Sequence, residues 1–101
     1  MTGVELIQKE RQRQIEVEGW TAEHDDRHTL GEMAVAGSIY ARTATFQVAL
    51  NAPALPNRTP YDWPWASAWW KPSADPIRNL VKAGALIAAE IDRLQREQEN
   101  A

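Results

Sequence analysis

The chain has 101 residues and a formal net charge of −3, which gives room for one domain with a modest core. It has no basic surplus of the kind that marks a binder of duplex nucleic acid. It contains no cysteine, so disulfides, thiolate metal sites and cysteine nucleophiles are excluded. Met1 leads into Thr-Gly-Val-Glu-Leu and then charged residues, without the basic start and apolar run of a signal peptide. No stretch is apolar for the length of a membrane span, and the expected compartment is the cytoplasm.

Residues Val4 to Val17 are mostly Glu, Gln, Lys, Arg, Leu and Ile, without internal glycine or proline, and predict a first helix over about residues 3–17. Its apolar face is thin. Val4, Ile7, Ile15 and Val17 are interrupted by Arg11 and Gln14, a pattern that suits a narrow seam or a contact with another subunit. Gly19 follows where a left-handed residue ends a helix, and Trp20 is expected to fold back over the last turn.

Thr29-Leu-Gly-Glu32 has the form of a capping box and predicts a second helix over about residues 29–49. Gly37 in its interior costs roughly 1 kcal/mol against alanine, a cost that makes sense where another backbone comes close. From about residue 51 to 74 the pattern changes to Pro53, Pro56, Pro60, Pro64 and Pro72 among Tyr61, Trp63, Trp65, Trp69 and Trp70. So many prolines exclude a long helix or a central strand. The tryptophans carry apolar area that favours order, so this is expected to be a loop folded over the helices, with a helical turn at Ala66 to Trp70.

Asp75-Pro76 reads as an N-cap followed by proline at the first helical position and opens a third helix over about residues 76–96. Ile77, Leu80, Val81, Gly84, Ile87, Ala88, Ile91 and Leu94 form one broad apolar face at three- and four-residue spacing. The fold class is therefore all-α: three main helices with a long ordered Pro/Trp loop, assembled as a homo-oligomer.

The polar chemistry gathers between Gly19 and Glu32. His24, Asp25, Asp26, His28 and Glu32 are all possible ligands of a divalent cation, since four-residue spacing places pairs of them on one helical face. The capping box opposes this by putting the histidines in a turn, unless Thr21 caps a short helix ahead of it. In the plainer reading, Asp25 and Asp26 face the positive end of the second helix and the histidines bond to the loop. Phosphate would more readily meet Lys71, Arg78 or Lys82, the last two one turn apart near the start of the third helix. Trp69 and Trp70 beside Lys71 could form a ligand wall serving a base and a phosphate together, whereas Trp63 and Trp65 read as core.

Gly-Trp-Thr-Ala-Glu-His-Asp-Asp-Arg-His with the following Gly-Glu-Met-Ala, then Trp-Pro-Trp and Trp-Trp-Lys-Pro, then Arg-Asn-Leu-Val-Lys-Ala-Gly-Ala-Leu-Ile-Ala-Ala-Glu-Ile-Asp-Arg-Leu, resembles a set of small bacteriophage and prophage proteins. The resemblance covers most of the chain and implies a source more than an activity. In size and implied origin the chain is also similar to phage proteins that sequester cyclic nucleotide or cyclic ADP-ribose immune signals in pockets shared between subunits. That analogy implies a nucleotide-binding protein acting without turnover in the cytoplasm of an infected bacterium. Trp20, Trp69 and Trp70 would stack on the base, Lys71, Arg78 and Lys82 would meet phosphate, and His24, Asp26 and His28 would bond ribose or base edges. No bound cofactor is needed for this role. The alternative is similarity to the all-α nucleotide pyrophosphohydrolases, with a divalent metal held by His24, Asp25, Asp26, His28 and Glu32. Glu32 and Glu90 are candidates there, although the paired Glu-x-x-Glu and Glu-x-x-Asp pattern is missing. A module that grips a host protein through its aromatic loop is a third reading.

Overall fold

The computed structural model describes all 101 residues and contains helices and no strand. The long helices are α1 (Gly3–Glu16), α3 (Glu32–Leu50) and α4 (Pro76–Glu99), with a four-residue helix α2 (Ala22–Asp25) and a 3-10 turn at Ser67–Trp69. No helix is long and apolar enough to cross a membrane. α1 and α3 both pack on α4, and their backbones do not pack on each other, so α4 is the central helix of an open arrangement.

Local chemistry explains the helix ends. α1 begins with a capping box that the sequence reading passed over, in which the Thr2 hydroxyl accepts from the Glu5 amide and the Glu5 carboxylate accepts from the Thr2 amide. α1 is closed by Val17, and Gly19 follows in the left-handed region at φ 75°. The chain then turns back, so that the Trp20 amide donates to the Gln14 carbonyl at 3.0 Å. Thr21 does cap the short α2, accepting from the His24 amide. The expected box at Thr29, by contrast, does not form. α3 starts at Glu32 with Gly31 as its cap at φ 78° and no side-chain cap bond. The Glu32 carboxylate is already taken by the Leu30 amide at 2.6 Å and by His28 Nδ1 at 3.2 Å, so it is not free to reach back to Thr29. For α4, Asp75 caps as expected, accepting from the Ile77 amide at 2.9 Å.

The core lies between α3 and α4 under the loop, where Met33, Ala36, Ile39 and Tyr40 meet Ala83, Leu86 and Ala89, with Trp63 and Trp70 closing one side. Gly37 permits the close approach that its cost implied: a Cβ there would stand 3.1 Å from the Ala83 carbonyl oxygen. Polar bonds hold the loop down. Asn79, fully buried, donates to the Gln47 side chain and the Ser73 carbonyl and accepts from the Ser73 amide. Asp62 takes both terminal nitrogens of Arg42 at 2.9 Å, and the Tyr40 hydroxyl accepts from the Lys71 amide. These bonds satisfy groups that an irregular segment would otherwise bury unpaired.

Two faces differ from the sequence expectation. α1 docks on α4 through the ion pair of Glu10 with Arg78 as well as through Ile7 over Gly84, and the side chains that it buries fully are the polar Glu10 and Gln14. α4 buries Asn79, Ala83, Ala85, Leu86, Ala89, Glu90 and Arg93 and, from the expected apolar face, Val81, whereas Ile77, Leu80, Ile87, Ile91 and Leu94 remain 43% to 60% exposed. The broad apolar face of α4 is thus not the one that makes the core.

Candidate functional site

The segment after α1 and the loop before α4 meet in one place. Trp20, His24 and His28 from the first and Trp65, Ala66 and Trp69 from the second line an open cavity of about 270 Å³. This lies just below the roughly 300–1,000 Å³ of ordinary small-molecule pockets and suits one ring system. Trp20 and His24 lie parallel, 2° apart with centroids at 6.0 Å. His28 stands edge-on to His24 at 5.0 Å and tilted to Trp65 at 5.3 Å. Trp20 closes the ring, tilted against Trp65 and Trp69.

The histidines are oriented from behind. His24 Nδ1 is 3.0 Å from Asp25 Oδ1, and His28 Nδ1 is 3.2 Å from Glu32 Oε2. Burial alone would raise the Glu32 carboxyl, but its own amide, the Leu30 amide and His28 together hold it below the usual glutamate range. Behind the site, Asp25 is wholly buried and takes Arg11 Nη2 at 3.2 Å. Each carboxylate thus fixes a ring edge, an arrangement that preorganises the pocket wall.

No family model matches this chain, and neither do the curated proteins or the solved structures compared with it. The site is therefore read from its own chemistry.

Of the residues expected to bind ligand, Trp20, His24, His28 and Trp69 come together. Trp70 does not: it is 5% exposed in the core, packed on Tyr40 and Trp63, with its indole N–H donated to the Leu55 carbonyl. Asp26 points elsewhere and pairs with Arg96 at 2.8 Å. Neither aspartate serves the start of α3, because arginines from other elements take both. Trp63 is core as expected, but Trp65 belongs to the pocket, and its buried indole N–H has no acceptor. The Trp-Pro-Trp spacing held that signal, since residues two apart flanking a proline need not share an environment.

The cations form a neighbouring patch rather than part of this cavity. Trp20 and Trp69 also line a smaller cleft with Lys71, Lys82, Glu10 and Arg13. Lys71 Nζ lies 5.4 Å from the centre of the Trp69 ring. Lys82 donates to the Lys71 carbonyl at 2.6 Å, and burial, aided by Arg78, lowers its pKa. Arg78 is neutralised by Glu10 at 2.6 Å. The five candidate metal ligands separate in the same way: no three His, Asp or Glu side chains are grouped to hold an ion, because Arg11, Arg96 and the histidines divide the carboxylates among them.

Glu10 links this patch to α1. It is 2% exposed and accepts from Arg13, Arg78 and Gln14. Burial pushes its carboxyl up, but the bonds from Arg13 and Arg78 outweigh this and hold it below 4.5. A depressed native pKa stabilises the fold at pH above the unfolded value and is lost as pH falls through the native one. Thermal melts should therefore vary little from pH 7 to about pH 5 and fall steeply below about 4.5. Glu10→Gln should be less stable at pH 7 and lose less over the acid range. Equal acid slopes for both proteins would rule this contribution out.

Proposed function

We propose that the protein binds the planar base of a nucleotide-derived molecule in the aromatic pocket and holds it without turnover. The observation that carries this reading is the convergence of Trp20, Trp65 and Trp69 with His24 and His28 on one open cavity. Indole faces stack on any base, worth about 1–3 kcal/mol per base. Histidine edges offer hydrogen bonds to a ring's polar rim. A phosphate carried by the same ligand would pass Trp69 toward Lys71 and Lys82. Turnover is disfavoured because Asp25, Asp26 and Glu32 are committed to Arg11, Arg96 and His28. In its full form this reading is of a phage-encoded homo-oligomer that removes a nucleotide signal of host defence. Its support is the small helical chain and the motif resemblance.

The test is thermal unfolding against mono-, di- and cyclic nucleotides with and without magnesium, followed by chromatography of any stabilising compound. Ligand at one hundred times its Kd adds about 2.7 kcal/mol, a rise on the order of 10 °C for a domain of this size. Trp69→Ala should leave the unliganded melt nearly unchanged and weaken binding by about 5- to 150-fold. A cleaved ligand would return the argument to hydrolysis. If no compound shifts the melt, the nucleotide reading is wrong for those tried.

A further inference from the structure

The exposed row on α4 has a strict spacing. Ile77, Leu80, Gly84, Ile87, Ile91 and Leu94 follow one another by 3, 4, 3, 4 and 3 residues, the a/d order of a coiled-coil seam. Helices that pack within a small domain normally turn such a row inward. Here α4 does the reverse, and its five large aliphatic side chains stay between 43% and 60% exposed.

The neighbouring helices leave the row open without replacing it. α1 reaches its edge where Ile7 fills the space beside Gly84, so close that a Cβ there would stand 2.5 Å from Ile7 Cδ1. This adds Ile7 and exposed Val4 to the apolar surface. On the other side, the Ile87 side chain lies against Gly37 of α3. The result is a continuous strip about 26 Å long at 1.5 Å per residue.

We infer that this strip is an interface between two copies of the chain, joined α4 to α4 about a two-fold axis. A heptad seam is matched by another helix with the same period, because each knob needs a hole formed by four residues of its partner. Within this chain only α4 carries that row: α1 is broken by Arg11 and Gln14, and the hydrophobics that α3 exposes, Val35, Phe46, Val48 and Leu50, do not follow heptad spacing, because Ser38, Arg42 and Thr45 stand where a row continued from Val35 would run. The helix therefore complements itself, as an isologous contact requires. This differs from the thin face of α1 as the subunit contact. It is also independent of what the aromatic pocket holds, since none of the pocket residues lies on α4.

Sedimentation equilibrium of the full chain tests it. The expected mass is twice 11.4 kDa at tens of micromolar protein. The double variant Leu80→Glu/Ile91→Glu should sediment as a monomer while keeping its helical circular dichroism, because both side chains are half exposed in the single chain. Tyr61→Glu, at a loop residue 97% exposed, should remain dimeric. A monomeric wild-type protein at several hundred micromolar overturns the inference, and so does a dimer that survives the double substitution. If the double variant unfolds, Leu80→Gln/Ile91→Gln replaces it, and a dimer persisting there counts against the seam in the same way.

Discussion

Asp25→Ala is expected to cost about 3 kcal/mol, seen as a fall in melting temperature on the order of 15 °C. Asp25, the last residue of α2, is fully buried and holds Arg11 Nη2 of α1 at 3.2 Å. Arg11 is itself only 15% exposed in its side chain and already has an unpartnered Nε. Without the carboxylate it keeps one long contact, 3.5 Å to the Trp20 carbonyl. A buried guanidinium left in that state incurs most of its desolvation cost. Asp26→Ala is the control, because its pair with Arg96 lies at the surface and such pairs contribute at most about 1 kcal/mol. Thermal melts of the two variants by circular dichroism decide the matter. Equal losses would mean that burial of the Asp25 pair has no energetic consequence. The same substitution removes the group that orients His24, so it should also loosen the pocket.

Trp70→Ala is expected to cost about 3–5 kcal/mol, the range for truncating a large aromatic core side chain. Its ring is locked against Tyr40 at 4.9 Å and Trp63 at 5.1 Å, and its N–H ties the loop at Leu55. The neighbouring Trp69 is 45% exposed, and its truncation should cost under about 1 kcal/mol. Chemical denaturation of both variants measures the difference directly. Comparable losses would show that the two rings share one environment, contrary to their packing.

This pair of adjacent tryptophans shows where a sequence reading runs short. Composition and proline placement made an ordered loop legible, and the residues Ser67–Trp69 do form a helical turn. Which indole faces inward depends on the backbone at a single junction, where Trp70 leaves the turn in an extended conformation at φ −78° and ψ 106°. No residue pattern carries that angle. The same holds for Trp65, which the sequence reading assigned to the core, and for the cluster from His24 to Glu32. Its residues were legible as a polar site, but their partners Arg11 and Arg96 come from helices distant in sequence, and those arginines turn the apparent metal ligands into ion pairs.

What the sequence by itself determined was the local structure: three long helices, the caps at Thr21 and Asp75, the turn at Gly19 and the close approach at Gly37. The helices, caps and turn are decided by neighbours within a few residues, through backbone sterics and short-range hydrogen bonds, whereas Gly37 only permits an approach whose partner, the Ala83 carbonyl, comes from α4. Only the tertiary structure decided which faces were used. Periodicity on α4 marks the apolar row from Ile77 to Leu94, yet packing buries the opposite side, because Asn79, Glu90 and Arg93 find partners there that satisfy them and the small residues Ala83 and Ala89 let α3 come close. Buried polar groups are tolerated only where such partners exist. Those partners come together only when the whole chain has folded.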